Sequence, residues 1–309
     1  MPDEITPTAD SAAARRLDAI AVRAALRRLA RAPEPPWLHA EVARRMAEKL
    51  QLILRQPERV IDWWSALGAG TALAQAYPKA QRTLVEPDAG WAARSLEQTR
   101  RPWWSAGRWT GAPVEVVTAG ASIAPGAGLI WANMMLHAVV DPPALFAEWQ
   151  RLLRADGFVM FSCLGPGTLR ELRALYDGLG WPAPTPGFVD MHDLGDMLVQ
   201  AGFADPVMDQ ETLTLRWSSA AALLAELRGL GGNTAPDRFP ALRTPRWRAR
   251  LERALQTLAA PDGTIGLSFE VAYGHAFKAA PRLQAGETTV SLDDMRAMVR
   301  TSHGRPKER

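Results

Sequence analysis

Two acidic residues that each end an apolar run are the first candidates for chemistry. Asp62 ends one run and Glu86 ends the next, with Gly68, Gly70 and a short helical segment between them. A strand, a glycine turn, a helix and a second parallel strand closed by an acid have the spacing of a nucleotide-binding half-fold. The two carboxylates are placed to meet a ribose and an amino group. The alternative is an ordinary doubly wound α/β unit without such a site.

Strands and helices alternate over most of the chain, and this alternation must position the two acids. The predicted strands cover 60–62, 83–85, 114–117, 128–133, 158–163, 206–215 and 267–277. Predicted helices lie between them, at 88–100, 143–153, 168–179 and 190–201. Such an order predicts an α/β fold with right-handed crossovers and a mostly parallel sheet.

Helical segments are also predicted before the first strand and before the last one. Residues 1–14 are polar and predicted to be disordered, and 15–56 form a predicted helical cap broken by Pro33 to Pro36. The first cap helix is basic and amphipathic, with one predicted apolar face: Leu17, Ile20, Ala21, Ala24, Ala25 and Leu29. The main domain is predicted at 57–278, with a helical lid insertion at about 217–262, and 279–309 are predicted to be a basic tail with a short helix at 291–300.

Composition sets limits on the protein's class. A hydrophobic content of 47% in 309 residues allows a sizeable core, and a net charge of +3 tolerates an acidic partner. Cys163 is the single cysteine, so no internal disulfide can form and a reducing, cytoplasmic location is predicted. We find no signal peptide and no apolar run long enough to span a membrane, and nothing predicts nucleic-acid binding.

Four separated sequence blocks carry a family resemblance. They are RPWW at 101–104, LIWANMMLHAVVDPPALFAEWQRLLRADGFVMFSCLGPGTLRELR at 129–173, FVDMHDLGDMLVQAGFADPVMD at 188–209 and YGHAF at 273–277. The strand order resembles class I S-adenosylmethionine-dependent methyltransferases. Within them the blocks are similar to the malonyl-acyl-carrier-protein O-methyltransferases of biotin synthesis. This resemblance implies a seven-stranded Rossmann-like sheet whose last strand is antiparallel.

The resemblance implies methyl transfer from S-adenosylmethionine to the free carboxylate of a malonyl group on an acidic acyl carrier protein. A carboxylate is already a nucleophile, so alignment and exclusion of water suffice, without a catalytic acid, base or metal. The implied substrate residues are Arg170 and Arg173, as a fork for the carboxylate. The basic first helix would suit carrier docking, and a monomer is expected. The implied cofactor residues are Asp62, Gly68, Gly70, Glu86, Asn133 and Met134.

This sequence departs from the family's glycine-rich turn, Asp-x-Gly-x-Gly-x-Gly. The matching positions are Asp62, Trp64, Ala66 and Gly68, so two glycines are replaced. No acid follows the third strand, where Thr118 and Ala119 stand. Two functions therefore remain open: a working methyltransferase, or a pseudo-methyltransferase that binds or regulates a partner and whose pocket Trp64 plugs. An NAD-dependent oxidoreductase is disfavoured, because GAGTALA lacks the third glycine.

Overall fold

The strands form one sheet whose carboxyl edge positions the predicted site. The computed structural model describes residues 17–100 and 112–279. Its strands are β1 Arg59–Trp63, β2 Gln81–Glu86, β3 Val114–Thr118, β4 Ala127–Ala132, β5 Leu153–Leu164, β6 Phe203–Trp217 and β7 Ile265–Lys278. Their order is β3-β2-β1-β4-β5-β7-β6. Strands β1 to β5 pair in parallel, while β7 is antiparallel to both β5 and β6. The predicted fold class is confirmed.

The central strands are apolar because both of their faces are covered. Every residue of β4, AGLIWA, is buried, as expected for a strand between two helical layers. At its neighbour β1, Asp62 lies opposite Leu84 of β2 and Trp131 of β4. The edge strand β6 instead alternates in burial along its length, and it extends beyond the predicted 206–215 at both ends.

Helices pack on both faces of the sheet. They are α1 Ala19–Leu29, α2 Trp37–Leu50, α3 Thr71–Ala76, α4 Ala89–Thr99, α5 Pro142–Leu152, α6 Arg170–Gly178, α7 Met191–Gln200, α8 Ala220–Gly229 and α9 Pro245–Gln256. A 3₁₀ turn, Leu136–Ala138, follows β4. One hydrophobic cluster holds side chains of α1, α4, α5 and α7, and the other those of α2, α3, α6, α8 and α9. Among the described residues no helix is both long and apolar enough for a bilayer.

Helix α1 buries only part of the predicted face, at Ala25 and Leu29. Its buried side chains are Val22, Ala25, Leu26 and Leu29, whereas Ile20 is 66% exposed. The buried set follows the spacing i, i+3, i+4, i+7 of a single helical stripe. The predicted face was wrong at Ile20 because it followed the apolar residues near the helix start and omitted Val22.

Polar contacts join helix α1 to the segment between α8 and α9. Asp18, the N-cap of α1, pairs with Arg238 at 2.7 Å, and its backbone N–H donates to the Thr234 carbonyl at 2.9 Å. Arg28 donates to the Gly231 carbonyl at 2.7 Å. The cap helix and the insertion therefore meet over the carboxyl edge of the sheet. The predictions for 1–14, for RPWW and for the tail beyond Ala279 lie outside the described residues.

Candidate active site

A buried asparagine fixes the geometry at the end of β4. The Asn133 amide donates to the backbone carbonyls of His39, at 2.8 Å, and Gly68, at 2.7 Å. Its oxygen accepts the Ser162 hydroxyl at 2.7 Å, and the Ser162 oxygen accepts the Met134 N–H at 3.0 Å. Asn133 thus joins the turn after β1, the start of α2 and strand β5. Its side chain is fully buried and engaged within the protein, and its predicted cofactor contact stays a prediction.

The two acids singled out in the sequence lie beneath the turn after β1. Asp62 accepts the Ser65 hydroxyl at 2.6 Å. Glu86 Oε1 accepts the Ala66 N–H at 3.0 Å and the Ser95 hydroxyl at 2.5 Å. The second Glu86 oxygen, Oε2, is buried without a hydrogen-bond partner in the described part of the chain. Both acids support the turn, and Glu86 keeps one oxygen available to a donor.

Burial makes both acids hold protons more strongly than usual. Desolvation raises the pKa of Asp62 to about 6, against the opposing effects of the Ser65 hydroxyl and the Arg82 charge. Desolvation also raises the pKa of Glu86 to about 7, although Ser95 and Ala66 donate to it, and the charge of Asp62 adds to the rise. Near neutral pH the pair therefore does not carry two full negative charges.

At the first of the two replaced glycines, the turn keeps a backbone conformation that favours glycine. Trp64 stands at the first replaced glycine and has a φ of 57°, in the left-handed region. Such a backbone costs a non-glycine residue about 1–2 kcal/mol. Gly70 is needed for another reason, because a Cβ there would lie 2.3 Å from Asp62 Oδ2. Asp62 and Gly70 thus have a structural role in the turn, and their predicted cofactor contacts stay predictions.

An outer cavity of about 340 Å³ lies at the carboxyl ends of β1 to β4. Trp64 lines it, with Pro87 from the end of β2, Ala119 from the end of β3 and Met135 from the end of β4. Trp63 also lines it, but its ring packs in the core, where it meets Trp149 edge-on at 5.8 Å. The outer cavity is thus an open space with two tryptophans in its wall.

An inner cavity of about 150 Å³ lies at the ends of β4 and β5, under helix α1. Met134, whose φ is 51°, lines it together with Leu67 and Phe188. Val22 and Leu26 of α1 line both cavities. Non-glycine residues in strained conformations cluster at functional sites, and here Trp64 borders one cavity and Met134 the other.

The predicted arginine fork is not formed in the structure. Arg173 donates to the backbone carbonyls of Thr168, at 2.6 Å, and Pro166, so it holds the loop after β5. Arg170 is exposed and pairs with Glu171 at 3.2 Å. Neither arginine lines the outer or the inner cavity. Their substrate role stays a prediction, since the structure does not bring them together at the site.

Two histidines that the sequence analysis did not single out line the inner cavity. His39 comes from α2, and His137 comes from the 3₁₀ turn after β4. Burial lowers the pKa of His39 to about 4 and that of His137 to about 3, with a smaller contribution to the latter from the His39 charge. Both rings are therefore neutral at pH 7. The sequence did offer a signal for His137, because it is a polar residue within the apolar run that follows Asn133. Residues 17–100 and 112–279 contain no cluster of ligands for a metal ion.

The fold, with its cavities at the carboxyl edge of the sheet, identifies the class of protein. The chain resembles a solved structure from Bacillus halodurans C-125, provisionally assigned as a methyltransferase, with a TM-score of 0.50 and 12% identity. The match covers 76% of this chain and 99% of that one. The strand order, with one antiparallel strand, is that of the class I methyltransferase fold.

Curated relatives show the family within that class. A malonyl-acyl-carrier-protein O-methyltransferase of Gallionella capsiferriformans is 39% identical over 252 residues, which cover 80% of this chain and 86% of the relative. One from Laribacter hongkongensis is 36% identical over 271 residues, covering 85% and 88%. No model of a protein family matches the chain. The chain belongs to the family of malonyl-acyl-carrier-protein O-methyltransferases.

The close approach of Gly70 to Asp62 predicts a stability effect. We expect Gly70→Ala to lower the free energy of unfolding by about 1–3 kcal/mol, because the added methyl group must displace the carboxylate. Urea denaturation measures the change. Gly178→Ala is the matched control, since nothing lies within 4 Å of a Cβ at Gly178. Equal stability of the two variants would contradict this packing.

The raised pKa of Glu86 predicts a pH-dependent effect. The folded state binds more protons than the unfolded chain between the ordinary value of 4.5 and about 7, so stability falls as pH rises through that window. Glu86→Gln keeps an oxygen for Ala66 and Ser95 but cannot ionise. We expect the free energy of unfolding of this variant to exceed that of the natural protein by about 1–3 kcal/mol near pH 8 and by little near pH 5. Thermal unfolding at both pH values tests this, and parallel pH profiles would refute it.

Proposed function

We propose that this protein transfers a methyl group from S-adenosylmethionine to the free carboxylate of a malonyl group carried on an acyl carrier protein. The observation that carries the proposal is the pair of cavities at the sheet edge, both lined by Val22 and Leu26 of α1. One has an aromatic wall and suits a nucleoside. The other is apolar and suits a small head group. The relatives' name, malonyl-acyl-carrier-protein O-methyltransferase, supplies the substrate.

The residues around the outer cavity fit the methyl donor. The Trp64 indole offers a flat face, and Pro87 and Met135 supply apolar contact. Glu86 does not line this cavity, and its buried Oε2, which has no hydrogen-bond partner among the described residues, would accept a ribose hydroxyl only after the turn moves. Its volume of about 340 Å³ lies within the range of small-molecule sites. We assign Trp64 to contact with S-adenosylmethionine and Asp62 to supporting the turn, and Glu86 stays a proposed acceptor for the ribose.

The chemistry requires little from the protein beyond placement. When bound, S-adenosylmethionine supplies a methyl group whose bond to sulfur breaks as a carboxylate oxygen bonds to the carbon, and no proton moves. The apolar inner cavity excludes water and so removes the hydration that stabilises a free carboxylate. Asn133 fixes the turn and strand β5 relative to each other, which keeps the two cavities in register.

The carrier partner is part of the same proposal. Arg23 and Arg27 are exposed on α1, over the cavities, where they suit an acidic protein. Arg28 donates to the Gly231 carbonyl, which fixes its side chain against the insertion. We also propose that the protein works as a cytoplasmic monomer, in keeping with its single, buried cysteine.

The alternative function, a pseudo-methyltransferase whose pocket is plugged by Trp64, is tested with the Trp64→Gly variant. Because the indole lines an open cavity, we expect the smaller residue to weaken binding of S-adenosylmethionine by about 2- to 10-fold, through loss of aromatic contact. A plug predicts the opposite sign. Isothermal titration of the donor into both proteins measures the change, and tighter binding by Trp64→Gly would favour the pseudo-enzyme.

The activity itself is tested with purified components. We expect the protein to convert malonyl-loaded carrier to its methyl ester in the presence of S-adenosylmethionine, detected as a mass increase of one methylene. Acetyl-loaded carrier, which has no free carboxylate, should remain unchanged. Failure to bind the donor at millimolar concentration, or equal labelling of both carriers, would contradict the proposed function.

A further inference from the structure

The inner cavity contains no charge that could hold a carboxylate. Among the described residues that line it, the polar side chains are His39, His137, Thr168, Thr185, Asn233 and Thr234. None of these is an arginine or a lysine. A carboxylate in this cavity must therefore be held by neutral donors or remain unbound.

Most of the polar wall is already satisfied within the protein. The Thr168 hydroxyl donates to the Glu270 carbonyl at 3.0 Å and accepts the Glu270 N–H at 3.2 Å. The Asn233 amide donates to the Ala183 carbonyl at 2.7 Å, and its oxygen accepts the Ala235 N–H at 2.9 Å. These two side chains support loops and have little capacity for a ligand.

The two histidines are held in opposite tautomers. His39 Nδ1–H donates to the Leu67 carbonyl at 2.9 Å, so its other ring nitrogen, Nε2, is an acceptor in the neutral form. His137 Nδ1 accepts the Leu164 N–H at 3.4 Å, so its Nε2 carries the proton. Phe188 fixes the His137 ring by an edge contact at 6.2 Å. Only His137 can donate to an anion, because a carboxylate has no proton to offer His39.

A second unused group lies in the same wall. The Thr185 hydroxyl is buried and has no partner among the described residues. Leaving a hydroxyl unpaired in a buried site costs about 1–3 kcal/mol, which a ligand oxygen in the cavity would recover. His137 and Thr185 both line this cavity, and the His137 Nε2–H and the Thr185 hydroxyl are its donors without a partner among the described residues.

We propose that His137 Nε2–H and the Thr185 hydroxyl hold the malonyl carboxylate in the inner cavity, in place of an arginine fork. The inference rests on the proposed function. A neutral donor orients the carboxylate without neutralising it, so the anion keeps its nucleophilic charge. Without substrate, burial lowers the pKa of His137 to about 3, so the ring that meets the carboxylate is neutral. His137 is then a residue that contacts the substrate and sets its specificity.

The test compares His137→Phe with His137→Gln. Phenylalanine keeps the ring and its contact with Phe188 but removes the donor, whereas glutamine restores an N–H near Nε2. We expect His137→Phe to lower kcat/KM for a malonyl thioester by about 10- to 100-fold and glutamine to recover most of it. Binding of S-adenosylmethionine should be unchanged in both. A small soluble malonyl thioester is used beside the malonyl-loaded carrier, so that an effect on carrier docking is separated from head-group binding.

Thr185→Val provides an independent readout. Removing an unpaired buried hydroxyl should raise the melting temperature, while loss of the donor should raise KM for the malonyl thioester. A purely structural threonine would change the melting temperature alone. His192→Phe is the control for a histidine exposed on α7, and its kinetics should match the natural protein.

The outcomes separate this inference from the proposed function. An inactive natural protein would overturn the function itself. The natural protein could instead be active and the folded His137→Phe variant have a kcat/KM within about 2-fold of the natural value. That result would overturn only the role of His137. If His137→Phe failed to bind S-adenosylmethionine, that role would also be overturned, because the ring would then lie at the methyl donor.

Discussion

The hydrogen bonds of Asn133 are the constraint on which the site depends. One side chain joins the Gly68 carbonyl, the His39 carbonyl and the Ser162 hydroxyl, and so joins the turn after β1, helix α2 and strand β5. All of these contacts are buried, where an unpaired polar group is costly. Because the outer cavity borders β1 and the inner cavity borders β5, the same asparagine sets the distance between them.

Ionised groups are absent from the described lining of the inner cavity, whereas Arg23 and Glu148 line the outer one. Asp62 and Glu86 have a raised pKa, His39 and His137 a lowered one, and burial is the largest cause in each case. Desolvation disfavours the charged form of every group, whatever its sign. A substrate carboxylate would therefore be the principal unpaired charge in the inner cavity, close to where a positively charged donor is expected. Such an arrangement favours a reaction that removes both charges at once.

Much of the fold was predictable, because apolar runs, turn residues and helix caps are local signals. The alternation from β1 to β5 predicted the parallel sheet, and the antiparallel last strand followed from the family resemblance. Helix α1 shows the limit of this reasoning. Its arginines identified a basic helix, and Ala25 and Leu29 were placed on its buried face, but Val22 and Leu26 were missed. A helix with several small apolar residues has more than one plausible face until its neighbours are known.

The site was harder to predict than the fold because side-chain direction depends on tertiary contacts. Glu86 was correctly placed at the end of β2, but no sequence pattern indicated that Ala66 and Ser95 would donate to it. Arg173 was expected to meet a substrate, and no sequence pattern indicated that it would also hold the backbone of its own loop. His137 drew no prediction, since its importance depends on Leu164 fixing the ring tautomer from a different strand.

A crystal structure with S-adenosylhomocysteine and a malonyl thioester tests the central claim most directly. The account predicts the nucleoside beside the Trp64 indole in the outer cavity, with a carboxylate oxygen in hydrogen-bonding distance of His137 Nε2. A nucleoside bound elsewhere, or a carboxylate held by Arg170 or Arg173 after rearrangement of the loop that follows β5, would contradict it.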